Sequence, residues 1–213
     1  MQKTLVLLSK ELKKISQEFS EGRIVCLPTD TVYAISCDAT NVDAIKKIYR
    51  IKNRPIDKTL PIFVSDINMA RMYAQFRLKE EGIAKIFWPG AITFVSKINL
   101  DCTILPKILI NNQKIALRIP ESDLIRSVCR LINRPIIATS ANISSKHNMN
   151  TFNEIKNTFY GKVDLIVRDE NKRNCKNNTA STIIEFLDEK NVRILRTGIV
   201  LKEDLNKYFN IVM

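Results

Sequence analysis

The segment Leu27-Pro28-Thr29-Asp30-Thr31-Val32-Tyr33, followed after one helix by Lys52-Asn53-Arg54-Pro55, constrains this chain more than any other feature. Residues 23–28 form a short apolar run that reads as a buried strand. It ends in a turn carrying two hydroxyls and a carboxylate. The spacing of Val42, Ile45, Ile48 and Tyr49 predicts a helix over 41–52, with Asn41 as its cap and Pro55 enforcing its end. Donors at a strand end, facing two fixed cations at a helix end, are a common way to hold a small anion.

The rest of the chain alternates in kind. Leu5, Leu8, Leu12, Ile15 and Phe19 recur at helical spacing, and Gly22 reads as the stop. Strands are expected over 60–64, 92–98, 115–119, 135–138, 163–167, 182–186 and 192–195. Helices are expected after a Ser65 cap, up to Trp88-Pro89-Gly90, and over 123–132, 152–159 and 202–209. Residues 169–178 form the most polar tract and read as a loop. Strands and helices interleave without a strict βαβ rhythm, which points to an α/β fold with a mixed sheet. A chain of 213 residues fits one domain over 1–213.

Lys and Arg outnumber Asp and Glu by 34 to 22, a net charge of +12 that suits anionic partners such as nucleic acid or phosphorylated ligands. The five cysteines are odd in number and none stands at C-x-x-C spacing, so neither a disulfide framework nor a zinc site is supported. Cys26 and Cys129 lie in apolar runs and read as core residues. No apolar run reaches the roughly 18 residues of a membrane span, and the start of the chain does not read as a signal peptide. A cytoplasmic protein with no membrane partner is expected.

His147 is the only histidine and sits in a polar stretch, so a catalytic triad has a single possible base and no aimed nucleophile beside it in sequence. Five glycines leave no P-loop and no dinucleotide fingerprint. An enzyme built this way works by positioning and charge compensation, with no catalytic nucleophile assigned. The candidates are cations and hydroxyls at element ends: Lys52, Arg54 and Lys58 around the helix end, Arg118 before Pro120, Ser140 and Asn142 beyond residues 135–138, and Ser181 with Arg196 near Thr197-Gly198. Singly, each is an ordinary solvated side chain or a self-satisfied turn.

Taken in order, Pro28-Thr29-Asp30-Thr31-Val32-Tyr33, Lys52-x-Arg54-Pro55, Leu60-Pro61-Ile62, Trp88-Pro89-Gly90-Ala91-Ile92-Thr93, Leu117-Arg118-Ile119-Pro120, Thr139-Ser140-Ala141-Asn142-Ile143-Ser144, Ser181-Thr182-Ile183-Ile184 and Ile194-Leu195-Arg196-x-Gly198 resemble the YrdC/Sua5 family of threonylcarbamoyl-AMP synthases. The resemblance spans nearly the whole chain and matches the short, single-domain form. It implies a twisted mixed sheet flanked by helices, with an open concave cleft. It implies a nucleotidyltransferase reaction in which L-threonine, bicarbonate and ATP, the last with Mg²⁺, give threonylcarbamoyl-AMP and pyrophosphate. The product serves the modification of tRNA, so tRNA and the threonylcarbamoyl-transfer machinery are implied partners.

The resemblance also implies roles. Thr31, Arg118, Ser140 and Ser181 would contact threonine; Lys52, Arg54, Lys58, Asn142 and Arg196 would contact ATP, with Lys114 and Asn150 at further nucleotide positions. No protein side chain is assigned to a metal. The chain departs from the family at Ala34, Ser36 and Ser145, where glycine is usual, at Ala91, where proline is usual, and at Phe63. Glycine permits backbone that alanine and serine resist, so a reshaped turn after Tyr33 is expected. The competing reading is a non-catalytic RNA-binding protein of the same fold. It would need exposed aromatics among its cations, and aromatics make up only 7% of the chain.

Overall fold

A computed structural model describes residues 3–142, 149–170 and 179–212. Among the described residues, eleven strands form one sheet in the order β1-β8-β2-β3-β7-β4-β6-β5-β9-β10-β11. They are β1 (Leu5–Leu8), β2 (Val25–Leu27), β3 (Ala34–Asp38), β4 (Ile62–Phe63), β5 (Ile92–Lys97), β6 (Lys114–Arg118), β7 (Ile136–Ser140), β8 (Leu165–Arg168), β9 (Thr182–Phe186), β10 (Asn191–Arg196) and β11 (Asn210–Val212). The helices are α1 (Leu12–Ser20), α2 (Val42–Lys52), α3 (Ile67–Tyr73), α4 (Leu78–Phe87), α5 (Asp123–Ile132), α6 (Phe152–Phe159) and α7 (Lys202–Leu205). Parallel and antiparallel ladders mix along the sheet: β4 runs parallel to β6, while β7 runs antiparallel to both β3 and β4. The sheet is open, with β1 and β11 as its edges.

Side chains alternate across a strand, and here the alternation separates core from cavity. Ile35, Cys37, Ile62, Leu117 and Ile137 are fully buried, and α1, α2, α3 and α5 pack on β3, β4 and β6 or on one another. Ile15 and Phe19 of α1, Ile45 and Ile48 of α2, and Ile125, Val128 and Cys129 of α5 supply the helical side of the core. The other parity of the central strands carries Ala34, Ala116 and Ala138, whose short side chains leave room above the sheet. Cys26 and Cys129 are core residues, as expected.

Helix ends follow local chemistry. Asn41 caps α2 by accepting the Ala44 N–H at 3.0 Å. At the other end Asn53 takes a left-handed φ of 50°, which asparagine tolerates. The N–H groups of Asn53 and Arg54 return to the carbonyls of Arg50 and Tyr49, a Schellman ending. Gly22 ends α1 in the same way, with φ of 74°.

Several expectations are corrected. Leu5 and Leu8 belong to β1, because parallel pairing with the distant β8 outweighs their helical spacing. The final helix is one turn, α7, and the chain closes on β11 instead. Ser65 does not cap α3; Asp66 does, accepting the Met69 N–H at 3.0 Å, while the Ser65 hydroxyl donates to Asp66. The residues after Tyr33 form the regular strand β3 and not a reshaped turn: neither Ala34 nor Ser36 has positive φ, and the Ser36 hydroxyl donates to the Ile137 carbonyl. Ser145, His147 and residues 171–178 of the polar tract lie outside the described residues. Among the described residues, no helix is long and apolar enough to cross a membrane.

Replacing Asn41 by Ala removes the α2 cap. The expected loss is about 1 kcal/mol in chemical denaturation; an unchanged midpoint would contradict the role of the cap.

Candidate active site

The turn after β2 is closed by its own hydroxyls. Thr29 Oγ1 accepts the N–H groups of Thr31 (3.0 Å) and Val32 (3.2 Å) and donates to the Val32 carbonyl at 2.7 Å. The Thr31 hydroxyl lies 3.0 Å from that of Thr29. This self-satisfied turn presents Thr31 and Asp30 toward the end of β6.

There stands Arg118, the largest fully buried side chain, only 1% exposed. Its Nε donates to the Gly90 carbonyl at 2.7 Å and its Nη2 to Asp30 Oδ2 at 2.5 Å. Its Nη1 lies 3.4 Å from Thr31 Oγ1, and the Phe63 ring covers the guanidinium at 5.2 Å. Burial lowers its pKa while Asp30 raises it; a guanidinium keeps its proton regardless. Of five N–H groups, two remain for a ligand.

Lys52, the last residue of α2, is 2% exposed. Its ammonium donates to the Ser140 carbonyl, to the Asn142 carbonyl at 2.7 Å and to Asn142 Oδ1 at 3.0 Å. All three of its protons are thereby used. Asn142 Oδ1 also accepts the Ser140 hydroxyl at 2.7 Å. Ser140 and Asn142 thus share one face, as their two-residue spacing predicts, and Lys52 holds them there. Burial, and then the charge of Arg54, push the Lys52 pKa down to about 8.

Arg54 follows the left-handed Asn53. Its Nε and Nη2 donate to the carbonyls of Lys58 (3.0 Å) and Thr59 (3.1 Å). Arg196, exposed at the end of β10, is tied likewise: Nε and Nη2 donate to the Ser181 carbonyl at 3.1 and 2.7 Å, and Nη2 also reaches the Ser181 hydroxyl at 3.1 Å. In both residues Nη1 has no partner among the described residues. Desolvation lowers the Arg196 pKa, and the charges of Arg118 and Arg54 lower it further. Three guanidinium groups therefore act on one another across a short space.

Gly198 allows this corner to close. A Cβ there would lie 2.3 Å from the Ala180 carbonyl oxygen and 2.4 Å from the Ser181 carbonyl carbon. The Gly198 N–H donates to Thr182 Oγ1 at 3.0 Å, which pins the segment beside β9. The Ser181 hydroxyl pairs with Thr93 of β5 at 2.8 Å.

These groups surround one cavity of about 190 Å³, open to solvent, over the central strands. Thr31, Arg54, Arg118, Ser140, Ser181 and Arg196 all line it. Lys52 and Asn142 join it through Ser140. Lys58 is exposed beside Arg54 and contributes its carbonyl. Lys114 stands apart, paired with Glu185 at 2.6 Å. Asn150 lines a separate hollow with Tyr33 and Arg168. Sequence reasoning noted Asp30 but gave it no role, and gave none to Thr29; both act through contacts with other side chains, which spacing does not reveal. Phe63, Val95, Ile183 and Leu195 give the cavity an apolar wall, legible only once the strand order is known.

Gly198→Ala forces backbone apart at Ser181. It should cost about 1–3 kcal/mol of stability and displace Arg196, read as weaker binding of an anionic ligand. Lys52 gives a pH signature. The cost of burying its charge is fully present below pH 8 and is relieved as pH rises from about 8 to 10.5, where the folded chain gives up a proton the unfolded chain still holds. Loss of that proton removes one donor and a positive charge beside Asn142. Affinity for an anionic ligand should therefore fall as pH passes 8, and the step should be absent in Lys52→Met.

The sequence model of the Sua5/YciO/YrdC family, described as "Telomere recombination", matches residues 17–198. A Methanocaldococcus jannaschii protein named "Putative threonylcarbamoyl-AMP synthase" is 36% identical over 191 residues, covering 90% of this chain and 87% of that protein. The threonylcarbamoyl-AMP synthases of Pyrococcus abyssi and Bacillus subtilis are each 31% identical, over 86% and 87% of this chain. The chain spans about half the length of those two relatives, 53% and 52%. The crystal structure of P. abyssi Sua5 complexed with L-threonine superposes with a TM-score of 0.85 at 26% identity, over 100% of this chain and 62% of that one. Escherichia coli YciO shares the fold, with a TM-score of 0.82 at 19% identity, over 98% of this chain and 100% of that one. With its ordered motifs gathered on one cavity and its family match covering most of its length, the chain belongs to the Sua5/YciO/YrdC family.

Proposed function

We propose that this chain is a cytoplasmic L-threonylcarbamoyladenylate synthase, a nucleotidyltransferase that joins L-threonine, bicarbonate and ATP. The observation that carries this reading is the gathering of Arg54, Arg118 and Arg196 on one hydroxyl-lined cavity with Asp30 as the carboxylate beside them. Such a site suits a ligand with several negative charges and polar groups. The names of the relatives and the threonine complex of P. abyssi Sua5 support the same reading.

In this reading the amine of threonine takes up the carbon of bicarbonate, releasing water and leaving a carbamate. A carbamate oxygen bonds to the α-phosphorus of ATP while the bond to the β-phosphate oxygen breaks, and pyrophosphate departs. No protein nucleophile is needed. Arg118 would receive the threonine carboxylate, a bidentate task suited to guanidinium. Thr31, Ser140 and Ser181 would offer hydroxyls to the amino acid. The cavity, at about 190 Å³, is small beside the roughly 300–1,000 Å³ of drug-sized sites. The amino acid would occupy it, and the nucleotide would lie across its mouth. There the Nη1 groups of Arg54 and Arg196 would meet phosphate oxygens, with Asn142 nearby.

Among the described residues, no cluster of three His, Cys, Asp or Glu could hold a metal. Magnesium would enter on the ATP phosphates, as is usual for that ion. The product would pass to a transfer partner acting on tRNA. A purely RNA-binding role is less well supported, because Tyr160 and Tyr208 are the only exposed aromatics among the described residues, too few for a base-stacking face.

Purified protein should release pyrophosphate from ATP only when threonine and bicarbonate are both present. Arg54→Ala and Arg118→Ala should each lower the rate about 100-fold or more while leaving the thermal midpoint of Arg54→Ala near that of the parent. Pyrophosphate release independent of threonine would overturn the reading.

A further inference from the structure

Arg118 must offer a planar fork to a carboxylate while lying almost wholly out of water. Four contacts fix its plane: the Gly90 carbonyl at Nε, Asp30 at Nη2, Thr31 beside Nη1 and the Phe63 ring beneath. Only Asp30 brings a charge. Arg54 and Arg196, which share the cavity, are held by backbone carbonyls and a hydroxyl.

The Asp30 carboxylate has little other employment. Its Oδ2 also accepts the Glu121 N–H at 3.1 Å, and its buried Oδ1 has no partner among the described residues. Buried ion pairs are poor sources of stability, because desolvation cancels most of the attraction. An orphaned oxygen adds to that cost. A carboxylate kept here at such expense serves the group it touches.

We propose that Asp30 is the positioning residue that aims Arg118 at the carboxylate of the amino-acid substrate. It does so by stopping rotation about the Cζ–Nη2 bond and holding the two remaining N–H groups toward the cavity. The proposal rests on threonine being the ligand, as argued above. It has a consequence of two signs. Removing the Asp30 charge frees the fork, so directional binding of a carboxylate weakens. The same removal takes away the counter-charge of Arg118 and leaves the cavity more positive, so binding of phosphates, which depends on charge more than on one geometry, holds or strengthens.

Calorimetry on the full chain tests this. Asp30→Asn should bind L-threonine about 10- to 100-fold more weakly, with ATP affinity unchanged or raised. Asp30→Glu keeps the charge but shifts it by one methylene. It should weaken threonine binding with ATP unchanged, and it serves if Asp30→Asn fails to fold. Unaltered threonine affinity in Asp30→Asn would overturn the proposal, as would an equal loss of both ligands in the two variants, which marks a merely structural part. Rotation of the Arg118 guanidinium in the free protein, followed by nitrogen NMR, decides the matter independently of ligand: slow in the parent and fast in Asp30→Asn is the expected result, and no difference refutes the role. If the parent binds no threonine while that rotation responds as expected, the ligand assignment fails and the clamp on Arg118 stands.

Discussion

A cation drawn out of water needs oxygen atoms fixed around it, and this protein draws those oxygens mainly from its own backbone. Lys52 takes carbonyls at and just past the end of β7, Arg54 those of the following loop, Arg118 that of Gly90 before β5, and Arg196 that of Ser181 before β9. Each positive side chain is therefore also a strut between two segments. Lys52 ties the end of α2 to the end of β7, and Arg118 ties β6 to two loops. The shape of the cavity and its charge are one arrangement, because the groups that attract an anion also hold the walls apart.

The sheet provides the complementary requirement, which is space. Ala34 and Ala138 on the paired strands β3 and β7, and Ala116 on β6 beyond β4, lie on the cavity side, and their neighbours of opposite parity are buried. Alanine at Ala34 costs nothing in backbone terms, since β3 is extended there. A mixed sheet suits this task. Strand ends from β3, β6, β7 and β10 bring their terminal residues to one region, and each end can contribute a polar group without interrupting a ladder.

Much of this was legible in the residues. The helix over Val42–Lys52, its Asn41 cap, and the strand-end positions of Arg118, Ser140 and Arg196 follow from spacing and local chemistry. What escaped was decided at long range. Leu5–Leu8 becomes a strand only because Leu165–Arg168 lies beside it. The partner of Lys114 is set by which strands become neighbours, and so is the saturation of Lys52. A lysine beside an arginine in a helix-end motif looks free to meet a phosphate; in the fold its three protons are already spent on Ser140 and Asn142. The value of Asp30 was hidden for the same reason, its partner being 88 residues away.

The strand order also sets a schedule for assembly. β9 and β10 are joined to the sheet through β5, and Arg196, near the end of the chain, is the last of the three guanidinium groups to be synthesised. A nascent chain that has just exposed β7 already owns the turn at Thr31, the Lys52 strut and Arg118, yet it lacks Ser181 and Arg196. The part of the hollow formed by Thr31, Arg118 and Ser140 thus comes off the ribosome before Ser181 and Arg196, and pairing across such sequence separations is slow. During translation the chain therefore passes through an interval with this side of the hollow open.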